Sequence, residues 1–85
     1  MKLMKRILVV DDELDSNLTL KLLLEDNGFK VDIFTDPLLV LENFKANLYD
    51  LLVIDTNMPK LGGWELYNEI KKIDDKARVN FSNSQ

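Results

Sequence analysis

Two places in this chain end an aliphatic run in carboxylates. Ile7-Leu8-Val9-Val10 runs into Asp11-Asp12-Glu13, and Leu51-Leu52-Val53-Ile54 runs into Asp55-Thr56-Asn57-Met58-Pro59. Like charges crowded together raise one another's pKa, so Asp11, Asp12 and Asp55 would need a positive partner if they met. With no His and no Cys in the sequence, that partner is a hard, oxygen-ligated cation such as Mg2+, which retains waters and recruits phosphate groups. A carboxylate beside such an ion can attack phosphorus as a nucleophile, while the metal offsets charge developing on the equatorial oxygens. The product is an acyl phosphate, whose bulk and charge can bias a two-state loop or helix.

These acids meet only if the two runs are neighbouring strands. Short apolar runs of this kind suit parallel strands covered on both faces, and ligand sites on such sheets form beyond the carboxyl ends of the strands. Residues 7–10 are the first strand and 11–15 an acidic turn, with Asp15 or Ser16 as the expected cap of the helix that follows. Leu14, Leu18, Leu22, Leu20 and Leu24 give that helix a broad apolar side, and Asn27-Gly28 ends it. Residues 30–34 alternate Val31 and Ile33 with Asp32, as an edge strand does. Asp36-Pro37 opens a second helix whose expected inward positions are Leu38, Leu41 and Phe44.

Residues 51–54 are the most apolar strand. Gly62-Gly63 precedes a third helix carrying Trp64, Leu66, Tyr67, Ile70 and Ile73 and ending at Asp74-Asp75, and 79–81 is a candidate fourth strand. Trp64 reads as a packing residue. The order β-α-β-α-β-α-β implies right-handed crossovers and a doubly wound parallel sheet. In the flavodoxin-like order 2-1-3-4, the first and third strands are neighbours at the switch point, which sets Asp11 and Asp12 beside Asp55.

Composition narrows the function further. The 85 residues make one small domain, with 11 basic and 15 acidic side chains and a net charge of −4, which weighs against a nucleic-acid surface. No apolar run approaches the ~20 residues of a membrane span, and the N-terminal apolar stretch is too short for a secretory signal. A cytoplasmic protein is expected.

The chain resembles the receiver domain of a two-component response regulator. The resemblance rests on Val9-Val10-Asp11-Asp12-Glu13, on Asn27-Gly28-Phe29, on Asp36-Pro37 and on the stretch from Tyr49-Asp50 through Asp55 to Met58-Pro59. Lys60-Leu61-Gly62-Gly63-Trp64-Glu65-Leu66 continues the last motif, and the match runs over about residues 7–79. The resemblance implies that Asp55 accepts phosphate from a sensor histidine kinase. Mg2+ would be held by Asp12 directly, by Asp11 mainly through water, by Asp55, and by Asn57 through its backbone carbonyl. Met58-Pro59 and Gly63 would shape the adjoining loop. Glu13 and Asp15 read better as helix-start or surface acids.

Two departures from the family pattern stand out. Its fourth strand ends in a Ser or Thr that contacts the phosphoryl group, and that position falls here on Asn83. The chain stops at Gln85, so residues 1–85 are expected to form one receiver-like domain without the C-terminal helix-strand-helix. The family's Lys has no counterpart. Part of the first helix and one sheet face are then expected to be uncovered, which would favour a homodimer.

The leading expectation is therefore a phosphoacceptor switch, self-phosphorylating at most rather than an enzyme. The alternative is a non-catalytic, receiver-like interaction or dimerisation module. A Mg2+-dependent phosphohydrolase would usually carry an Asp where Asn57 stands, and a dinucleotide site would need a G-x-G-x-x-G after the first strand.

Overall fold

Four parallel strands and three helices alternate along the chain in a computed structural model that describes residues 5–56, 58 and 61–82. They are β1 (Arg6–Val10), α1 (Leu14–Asp26), β2 (Lys30–Phe34), α2 (Pro37–Asn43), β3 (Leu51–Asp55), α3 (Gly63–Ile73) and β4 (Val79–Ser82). The spatial order is β2-β1-β3-β4, the flavodoxin-like order expected. Register fixes the level at which the chains leave the sheet. Val10 lies opposite Ile54 and Asp55 opposite Ser82, so Asp11 follows β1 at the level where Asp55 ends β3.

Alternation along each strand divides the core in two. Leu8 and Val10 of β1 with Leu52 and Ile54 of β3 face α2 and α3, where Val40, Phe44, Leu66 and Ile70 close over them. Ile7, Val9 and Val31 face the other way, toward α1, with Leu20, Leu24 and Phe29 packed against them. Edge strand β2 carries its polar residue inward on the α2 side. Asp32 accepts hydrogen bonds there from Arg6 Nη2 at 3.0 Å and from the Tyr49 hydroxyl at 2.7 Å. Burial works to raise the Asp32 carboxyl, but the Tyr49 and Arg6 bonds outweigh it and hold it below the ordinary carboxylate value of 3.8. Burial and the same carboxylate push the Tyr49 phenol up to about 12.

Local signals account for most boundaries. Asp36 caps α2 by accepting from the Leu38 N–H at 2.9 Å, with Pro37 in the first turn. At the end of α1, the Gly28 N–H reaches Glu25 O and the Phe29 N–H reaches Leu24 O, with Gly28 at φ 90°. That pairing is a Schellman ending, and it requires a residue at ease in the left-handed region.

Three expectations are corrected. α1 starts at Leu14 with Glu13 as its N-cap residue, so neither Asp15 nor Ser16 caps it; Asp11 has already turned the chain by accepting the Glu13 N–H at 2.9 Å. The inward stripe of α1 is Asn17, Leu20 and Leu24, whereas Leu14, Leu18 and Leu22 are exposed. Of the positions expected to face inward from α2, Phe44 is buried and Leu41 packs against the same core, joined by Pro37 and Val40, while Leu38 is exposed. Leucine occupies more than one side of both helices, which leaves the apolar pattern without a single phase, so each expected set mixes inward with exposed positions.

Candidate metal centre

Asp11 and Asp12 follow the last residue of β1, and Asp55 is the last residue of β3. Parallel pairing of the two strands brings the three together. Each offers a carboxylate oxygen within 4.8 Å of the others. On an octahedral Mg2+ with bonds of ~2.1 Å, adjacent oxygens lie ~3.0 Å apart and only opposite ones ~4.2 Å. The three carboxylates would therefore draw together by about an ångström or more to share the ion directly, or one of them would hold it through a retained water. The donor set fits that ion: oxygen only, with enough negative charge to hold a divalent cation.

The site is wet on one side. Asp55 has 0% of its surface exposed and Asp11 6%, whereas Asp12 is exposed. Burial raises the Asp11 carboxyl above its ordinary 3.8; the Glu13 N–H pulls it down, and the negative charge of Asp55 adds to the rise. A carboxylate pushed up by burial and by a like charge is relieved by a cation at the same spot.

The backbone beneath the acids is held from several directions. The Asp11 N–H donates to Phe34 O at 3.1 Å, and the Thr56 N–H donates to Ser82 O at 3.1 Å. Gly63, the first residue of α3, presses against the strand end; a Cβ there would sit 2.5 Å from Asp55 O and 2.9 Å from Thr56 Cα. Only glycine allows that approach. Met58 is buried in the core below, among Leu66, Ile70 and the strand residues.

Trp64 does pack, with its ring centroid 4.1 Å from that of Phe81, although 61% of its surface is exposed. Glu13 and Asp15 are exposed at the start of α1, in the surface roles expected for them. Asn57, Pro59, Lys60 and Asn83 lie outside the described residues.

One residue beside the site escaped the sequence reading. Asn17 is fully buried on α1 and donates from Nδ2 to Asp11 O at 2.8 Å and to Phe34 O at 3.3 Å. The signal is a polar residue in helical phase with Leu20 and Leu24, masked by the leucines that surround the helix.

Comparison with known proteins gives a consistent result. A family model described as the response regulator receiver domain matches residues 7–84. The transcriptional regulatory protein CpxR homolog of Haemophilus influenzae is 37% identical over 70 residues, covering 82% of this chain and 30% of that protein. The chain therefore spans under a third of that relative. Among solved structures, response regulator protein TrrA of Thermotoga maritima in complex with Mg2+–BeF superposes with a TM-score of 0.88 at 35% identity, over 96% of this chain and 71% of that one. TrrA in complex with the histidine kinase ThkA gives a TM-score of 0.84 at 37% identity, over 92% and 67% of the two chains.

Proposed function

This chain belongs to the response regulator receiver domain family of two-component systems, and from that premise we propose that Asp55 is its phosphoacceptor, charged by a sensor histidine kinase in a Mg2+-dependent reaction. The observation that carries the proposal is the convergence of the Asp11, Asp12 and Asp55 carboxylates within 4.8 Å at the ends of two adjacent strands. The complexes of TrrA with Mg2+–BeF and with a histidine kinase lend support by similarity.

Asp11, Asp12, Asp55 and the Asn57 backbone carbonyl would hold the ion. When bound, it supplies positive charge against the equatorial phosphoryl oxygens. An Asp55 carboxylate oxygen attacks phosphorus as the P–N bond to the kinase histidine breaks; the acyl phosphate stays on Asp55 and the imidazole leaves neutral after taking a proton. Asn83 is the proposed amide donor to the phosphoryl group. The modified residue belongs to this chain, so the reaction is self-phosphorylation rather than turnover of a separate substrate.

Among the described residues no helix is long and apolar enough to cross a membrane, and a cytoplasmic location belongs to the same proposal. A homodimer through the exposed leucines of α1 is a subsidiary reading, checked by sedimentation over a range of concentration.

The test is incubation with a small-molecule phosphodonor and Mg2+, read by intact mass. One added phosphoryl group is expected on the wild type, and none on Asp55→Asn or in the presence of a chelator. Equal labelling of wild type and Asp55→Asn, or none on either, would remove the proposal.

A further inference from the structure

Asn17 poses a physical question. In a helix that carries Leu14, Leu18, Leu20, Leu22, Leu23 and Leu24, the one buried residue is an amide, with 0% of its surface exposed. Its Oδ1 is buried without a hydrogen-bond partner, a standing cost to folding that an apolar side chain would avoid. Turning the amide over brings no relief. Both Nδ2 bonds end on carbonyl oxygens, those of Asp11 at 2.8 Å and Phe34 at 3.3 Å, and an oxygen in that place would face two acceptors. The amide is locked in the orientation that orphans its oxygen.

That orientation does something specific. The Phe34 carbonyl also accepts the Asp11 N–H at 3.1 Å, so Asn17 ties the end of β1, the end of β2 and α1 to one point. Asp11 is thereby gripped at its N–H by Phe34, at its carbonyl by Asn17 and at Oδ1 by the Glu13 N–H at 2.9 Å. Three bonds on one residue leave its carboxylate little freedom to swing away from Asp55, although burial and the Asp55 charge both disfavour its present place.

We infer that Asn17 is a positioning residue for the acid cluster, fixing the Asp11 carboxylate in binding geometry through its backbone carbonyl and joining α1 mechanically to the metal centre. This rests on the reading of Asp11, Asp12 and Asp55 as a Mg2+ site. Groups that orient metal ligands without touching the metal commonly matter about tenfold or more to affinity.

The experiment measures Mg2+ affinity calorimetrically on the whole 85-residue chain and its Asn17→Leu variant, with urea unfolding of both in chelator. Asn17→Leu removes the orphaned oxygen and the two bonds together. The loss of the orphaned oxygen offsets the loss of a donor to the Asp11 carbonyl. Its metal-free stability is therefore expected to stay close to that of wild type, yet it should bind Mg2+ about tenfold more weakly, and its Glu13 amide should exchange faster with solvent. A merely structural role would lower metal-free stability and leave the affinity alone. Wild-type affinity in Asn17→Leu would overturn the inference while leaving the metal reading intact. A wild-type chain that binds no Mg2+ would remove the metal reading and this inference with it. Should Asn17→Leu fail to fold, Asn17→Ser is measured in its place, with the same weakening expected and wild-type affinity again counting against the inference.

Discussion

The two faces of this sheet are built from the same strands and finished differently. On one, α2 and α3 bury Leu8, Val10, Leu52 and Ile54 behind Val40, Phe44, Leu66 and Ile70. On the other, α1 covers Ile7, Val9 and Val31, while Leu51 and Val53 of β3 stay half-buried and α1 turns Leu18 (41% exposed) and Leu22 (68%) to solvent. Stability should therefore reside on the α2/α3 face. The metal centre straddles the difference. Gly63 of α3 braces Asp55 from the closed face, while Asn17 of α1 braces Asp11 from the open one.

Substitutions can break this contrast or sharpen it. The largest effect is expected from truncating the closed face: Leu66→Ala or Ile70→Ala should cost about 3 kcal/mol, a large share of the ~5–10 kcal/mol available to a domain of this kind, measured by urea unfolding. Next is Gly63→Ala, where a methyl 2.5 Å from Asp55 O must push α3 off the strand end. About 2 kcal/mol should be lost, together with phosphodonor labelling of Asp55.

Removal of the α2 cap by Asp36→Ala should cost about 1 kcal/mol, seen in the same denaturant assay. The smallest effect belongs to the open face, where Leu22→Ala should change stability by under about 0.5 kcal/mol. If Leu22→Ala proved as damaging as Leu66→Ala, the α1 face would have to be covered in solution and the contrast would fail.

Acid adds a separate handle on the closed side. Asp32 is held below its ordinary 3.8 by Tyr49 and Arg6 against the effect of burial. Its contribution to stability is therefore complete above that value and lost as pH falls through the lower folded one. Asp11, raised by burial and by Asp55, works in the opposite sense: metal-free protein is relieved as Asp11 takes up its proton, and the penalty returns as pH rises through the raised value. Asp32→Asn should thus flatten the acid limb of the stability curve, whereas Asp11→Asn should remove the relief above it. Denaturant midpoints measured from neutral pH down to about pH 2 separate the two.

The strands were legible in the sequence because parallel strands buried on both faces leave unbroken aliphatic runs, as at 7–10 and 51–54. The acids at their ends were legible for the same reason, since a carboxylate after such a run marks the strand's exit. Asp36-Pro37 and Asn27-Gly28 announced their helix ends through local chemistry that tertiary packing left in place. Helix phase was harder. Leucines surround α1, so periodicity could not say which of them face the sheet, and the inward stripe turned out to begin with the polar Asn17. The Arg6–Asp32–Tyr49 cluster joins three separate segments, a long-range agreement that no local pattern carries.

The most direct test of the account replaces Mg2+ with paramagnetic Mn2+ and follows the backbone amides by NMR, since broadening falls off steeply with distance from the ion. The expected result is early loss of the signals of residues 11–13 and 55–56, at both strand ends together, and no such loss in Asp12→Asn. Broadening spread along the acidic surface of α1, or confined to one of the two strand ends, would contradict the claim that these carboxylates share one cation.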